Sequence, residues 1–271
     1  MLLPHLLPAF RAFTLAVSVA CLSLASAHAA TLLVVQDNQI QSGTTNAVTV
    51  QGTSGSATTW QLAARDTDFN RKVYLGLNLT GALQPNQEFA NATLSLTSSA
   101  LLGSAGAFTT VSFNVYGITG STSWSESTIT WNNAPYNSTS SAIALNSSGT
   151  VLLGSFSVTL SSVANTTHTF TGTSGALTTY LNWAAGRLGN HYGTGVTSLN
   201  TPSLVLTSTT GPNMNLPGVV FHSSEAATSA YLPSITFSAA AIPEPANVAL
   251  LAAAATLGLT LAARRSRRTA S

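Results

Sequence analysis

Apolar and polar residues alternate along most of the chain. In residues 72–79 (KVYLGLNL), Val73, Leu75, Leu77 and Leu79 fall on one face and Tyr74, Gly76 and Asn78 on the other, the period of two expected of a half-buried strand. The device recurs at 92–98 with Leu94 and Leu96, at 111–117 with Val111, Phe113 and Val115, at 154–160 with Phe156, Val158 and Leu160, and at 234–237 with Ile235 and Phe237. Clusters of Ser, Gly, Asn and Pro at 54–59, 83–87 and 137–141 punctuate these runs. About ten short antiparallel strands with polar connections predict an all-β sandwich or jelly roll. One segment changes period. After Ser174, an N-cap candidate, Leu177, Leu181 and Ala184 recur at three- to four-residue spacing and Gly186 can end the turn. This predicts a short helix covering one end of the sandwich, with Trp183 packed into it.

Both ends of the chain depart from alternation. Residues 1–29 combine Arg11, an apolar run from Ala12 to Ala25 and the small-residue site Ala27-His28-Ala29, which predicts a secretory signal peptide cut by signal peptidase after Ala29. The single cysteine, Cys21, lies inside it. A lipoprotein anchor at Cys21 is the competing reading, and Ser18-Val19-Ala20 lacks the leucine common at such sites. The body then has no disulfide, thiolate metal ligand or cysteine nucleophile, so it rests on sheet pairing and packing. At the other end, 248–263 is a sixteen-residue apolar run. As a helix it spans about 24 Å, against about 30 Å for a bilayer core, and Asn247 extends it to a minimal span over 247–263. Arg264, Arg265, Arg267 and Arg268 follow at once and would hold the C-terminus on the cytoplasmic side, leaving the body across the inner membrane. A buried core helix would leave these arginines stranded.

Charge narrows the partners. Only 6% of residues are charged, and the body carries four cations, Arg65, Arg71, Lys72 and Arg187, against six carboxylates. Four scattered cations cannot neutralise a run of phosphates, which excludes nucleic acid. Catalytic signatures are missing: no GxSxG elbow, no HExxH, and His168, His191 and His222 far apart. A glycosidase pair drawn from Glu88, Glu126 and Glu225 finds no support in their spacing. No organic cofactor is implied. Asp37, Asp66 and Asp68 are candidate ligands for a structural Ca²⁺, which takes several hard oxygens, although no EF-hand spacing is present.

Two resemblances follow from particular residues. Pro243-Glu244-Pro245, then the apolar helix, then the sequence RRSRR, is similar to the PEP-CTERM sorting signal of Gram-negative bacteria. That resemblance implies an exosortase partner, with Pro243, Glu244 and Pro245 as the recognition motif and the helix as a temporary tether in the inner membrane. It also implies delivery to the cell surface or an exopolysaccharide matrix; a permanent anchor is the alternative. The second is carried by WSESTITWNNAP at 124–135, with 35–40, 71–75, 92–94 and 221–226 around it, and resembles DNRLRE-type domains, which include carbohydrate-binding module family 96. It implies a single jelly-roll domain that binds polysaccharide. The Asn-Tyr-Gly segment usual after that family's first strand is replaced here by a Gly/Ser/Thr loop at 52–59.

On this reading Trp124 closes a loop and Trp131 enters the sandwich on a strand at 129–131, both structural. Glu126 accepts hydrogen bonds from backbone amides or pairs with Arg71. Sugar C–H faces stack on aromatic rings, so Trp60, Tyr136 and Tyr192 are candidate ligand contacts, joined by Arg65 and Arg71 for an acidic glycan. The expected organisation is a signal peptide at 1–29, one β-sandwich domain at 30–241 and a sorting segment at 242–271. Its expected role is non-catalytic polysaccharide binding. The alternatives are a biofilm scaffold without specific glycan binding and, further off, a polysaccharide lyase or hydrolase.

Overall fold

The computed structural model describes residues 28–51, 58–63, 69–120, 123–199, 201–211, 213, 215–242 and 256. The signal-peptide expectation up to residue 27 and the sorting segment from Pro243 onward, Thr256 apart, lie outside the described residues. Among the described residues no helix is long and apolar enough to cross a membrane.

Each alternating run becomes a strand: β1 (His28–Gln41), β2 (Thr59–Leu62), β3 (Arg71–Leu77), β4 (Gln87–Leu102), β5 (Thr110–Ile118), β6 (Thr150–Thr159), β7 (Thr166–Phe170), β8 (Ser203–Ser208), β9 (Gly218–His222) and β10 (Ser234–Ala241). Their order is β2-β9-β4-β10-β1-β3-β8-β5-β6, with β7 paired to β4. The registers resolved between them are antiparallel, for example Tyr74 opposite Val205 and Phe113 opposite Phe156. Strands from the two halves of this order meet face to face. Phe113 of β5 and Phe156 of β6 lie 6.2 and 6.4 Å from the ring of Phe221 on β9, so the strand order folds back into two layers around one core. That core takes the inward residues Val73, Leu75, Leu77, Val115, Leu204 and Leu206. Apart from His28, Gln87, Glu88, Ala240 and Ala241 at strand ends, these elements fall in one compact unit, Ala29–Leu83 with Phe89–Ala239. The other unit takes in Met1–His28, Gln84–Glu88 and Ala240–Ser271, where Ile242 N donates to Asn86 O at 2.8 Å.

The predicted helix forms as α1 (Ala176–Ala184), with Leu177, Leu181, Trp183 and Ala184 buried. Its start differs from expectation. Ser174 adopts a positive φ of 51° ahead of the helix, and Gly175, in the left-handed region, is the N-cap with no side-chain bond. Gly186 does end the helix, its φ of 76° letting its N–H reach Trp183 O at 2.8 Å. Polar side chains then fasten α1 to both layers. Asn182 exchanges two hydrogen bonds with the backbone of Phe89, at 2.7 and 2.9 Å, and the Tyr180 hydroxyl sits 2.9 Å from both Ile118 O and Ser203 O.

Where alternation predicts a half-buried strand, β3 is buried on both faces from Lys72 to Leu77. Its outward residues lie under the long β5–β6 connection, where Ile40, Tyr74, Ile118, Ile129, Trp131, Ala134 and Val205 form a second apolar cluster. Residues 129–131 are therefore no strand: they lie in a chain of turns, and Trp131 packs on the outside of the layer instead of between the layers.

Candidate functional site

Three carboxylates converge where the two layers meet the β5–β6 connection. Asp37 comes from β1, Glu126 from the first turn of the connection, and Glu225 from the turn after β9, and their oxygens all lie within 4.8 Å of one another. Backbone amides fix two of them: Glu126 Oε1 accepts from Asp37 N, and Asp37 Oδ2 accepts from Ser224 N at 2.7 Å. Asn38 Nδ2 steadies the Glu126 turn by donating to its carbonyl at 2.8 Å, and Ser224 Oγ donates to Glu225 Oε1 at 2.7 Å.

Burial pushes the Asp37 carboxyl from 3.8 up to about 7, and the charges of Glu225 and Glu126 add to that, against the lowering effect of the Ser224 amide. Glu126 is likewise raised by burial, with Glu225 contributing. A group of three anions this close settles by holding a proton or by holding a cation. Three hard oxygen donors at this separation suit a divalent ion such as Ca²⁺. The predicted ligand set therefore changes: Asp37 has Glu126 and Glu225 beside it, while Asp66 and Asp68 lie outside the described residues.

The predicted sugar contacts scatter. Trp60 is only 2% exposed, its ring stacked on Phe221 at 4.9 Å, so it is core and cannot present its face to a ligand. Tyr136 is wedged between Gly120 and Gly149, where any Cβ would overlap its ring, and it takes a φ of 56° to get there. Tyr192 packs edge-on against Trp183 at 5.0 Å beside α1. Arg71 is half-buried with Nε 3.1 Å from Gln41 Oε1, so Glu126 bonds a backbone amide and not this arginine. Arg65 lies outside the described residues. Trp124 is structural as expected: its Nε1 donates to Ser203 Oγ at 3.0 Å and its ring meets Tyr74 edge-on.

Sequence reasoning passed over Lys72. Its side chain is fully buried, and Nζ donates to Asn137 Oδ1 (2.6 Å), Ala144 O (2.7 Å), Ser141 O (2.9 Å) and Ser138 O (3.3 Å) while lying 4.6 Å from the centre of the Trp131 ring. Burial pulls its pKa down; the ring of oxygen acceptors favours the ammonium. This one cation fastens the β5–β6 connection onto β3. The pairing of Ser98 and His168, 2.8 Å apart, is also structural, because Ser98 is buried and its hydroxyl meets the carbonyls of Val163 and Thr166.

Residues 28–159 match the model of carbohydrate-binding module family 96. The match spans β1 to β6 and so includes Asp37, Lys72, Glu126 and both tryptophans of the 124–135 stretch, while Glu225 lies beyond it. It suggests carbohydrate binding. No curated protein matches the chain.

Proposed function

We propose that the chain is an exported, non-catalytic polysaccharide-binding protein of the cell envelope, sorted by an exosortase and steadied by a divalent cation at Asp37, Glu126 and Glu225. The observation that carries the binding reading is the family match over 28–159, laid on an antiparallel sandwich of the kind that presents flat faces to glycans. Binding is tested by passing the full chain over a panel of neutral and acidic polysaccharides, with and without Ca²⁺. Retention on at least one glycan is expected; none across the panel overturns the reading.

The delivery reading rests on the order Pro243-Glu244-Pro245, apolar run, arginine cluster. Replacing Pro243, Glu244 and Pro245 with alanine is expected to leave the protein in the inner-membrane fraction, as deletion of the exosortase would. Unchanged appearance at the cell surface in both cases would remove the exosortase from the account.

A further inference from the structure

The β5–β6 connection covers only part of its layer, and beyond it the outward side of β5 and β6 is open. Three rungs line this strip: Ser112 opposite Ser157, Asn114 opposite Ser155, and Tyr116 opposite Leu152. Same-face residues are about 6.8 Å apart along a strand and neighbouring strands about 4.8 Å apart, so the rungs make a flat track about 14 Å long. β6 ends the strand order, and beside it Phe170 and Thr173 pack against the strand at Gly154.

The last rung is set by an irregularity. The β5–β6 register shifts between Val115 and Tyr116, at Gly154 with its φ of 141°, so that Tyr116 faces Leu152 and not Leu153. Leu153 goes into the core, and Leu152 is turned outward and left 53% exposed. The bulge thus sets an exposed leucine beside Tyr116 on the outward side of the two strands. The Tyr116 ring is held by packing against the edge of the outer apolar cluster. Its hydroxyl, the Asn114 carboxamide and the Ser155 hydroxyl form no hydrogen bond with another described residue, while Ser112 and Ser157 share one at 2.7 Å.

The track is also uncharged. Between Phe89 and Gly186 the chain carries one charged residue, Glu126, and no lysine or arginine. A polyanion gains nothing on such a face, whereas a chain of neutral pyranose units can lay a C–H face on Tyr116 and Leu152 and bond its hydroxyls to Asn114 and the serines.

We propose that this strip binds an uncharged polysaccharide running along β5 and β6, with one sugar ring stacked on Tyr116. The proposal rests on the carbohydrate-binding reading and gives it a place and a ligand class. It is tested with the full chain by pull-down on cellulose, chitin and curdlan as neutral glycans and on alginate as the acidic one, comparing wild type, Tyr116→Ala and Ser155→Arg. Ser155 is exposed and unbonded, so Ser155→Arg obstructs the track without touching the core, and an unchanged thermal midpoint confirms its fold.

The expected result is wild-type retention on a neutral glycan that high salt does not weaken, with affinity reduced about tenfold or more in both variants. Retention that Ser155→Arg leaves intact overturns the location while carbohydrate binding stands. Retention confined to alginate and abolished by salt overturns the ligand class. Retention on none of the four overturns the binding reading itself.

Discussion

Replacing Lys72 with methionine will release the β5–β6 connection. The substitution keeps most of the stem that fills the space under Trp131 but removes the donor shared by Asn137 Oδ1 and the carbonyls of Ser138, Ser141 and Ala144. A buried acceptor without its donor costs about 1–3 kcal/mol, and water reaching the outer edge of the loop recovers part of that. A net loss of about 3 kcal/mol is expected, or roughly 6–12 °C in the midpoint of a body this size. The loss should also be local. Limited proteolysis should cut first within 131–146 in the variant, and the midpoint and cleavage pattern of wild type would refute the role assigned to the ammonium. Lys72→Arg is expected to fail as well, because a planar guanidinium cannot point three donors into a cage built for a compact head.

Stability of the cation-free protein will fall as pH rises from about 4 to about 7. Folded Asp37 holds its proton up to about 7, whereas the unfolded chain sheds it near 3.8, so within that window the folded state binds more protons and loses ground as they are removed. The difference corresponds to a loss on the order of 4 kcal/mol, present in full above pH 7 and absent below 4. His168 and His222 act in the opposite sense, since burial pulls both below 6.5 and the unfolded chain then takes up the extra protons.

Asp37→Asn separates the contributions: it keeps an oxygen for the Ser224 amide, removes the charge, and should flatten the decline. Thermal melts in a chelator across this range, repeated with Ca²⁺, measure both predictions. Wild type should regain stability with Ca²⁺ at pH 7 and Asp37→Asn should not. A curve for wild type that matches Asp37→Asn at every pH would rule out the strained trio.

The parts of this molecule written in local pattern were readable from the sequence. The runs around Val73, Leu94, Phe113, Phe156 and Ile235 carry a period of two because each strand sends alternate residues into the core, and Leu177 and Leu181 carry the helical period for the same reason. The covering connection had no such signal. Residues 119–146 bury Ile129, Trp131 and Ala134 at irregular intervals through turns, so nothing in their spacing showed that β3 would be covered on its second face. The carboxylate trio was hidden for a different reason. Its members come from three elements, with Asp37 bonded to residues 89 and 187 positions away, and only the folded layers bring them together. Trp60 misled because an aromatic beside a polar loop reads the same whether its ring faces solvent or Phe221.

A body without cysteine that fastens a long connection through an ammonium among carbonyl oxygens has no disulfide to lose. It can mature without an oxidant or a disulfide isomerase, and reducing agents that loosen thiol-stapled modules of similar size leave its fastening intact.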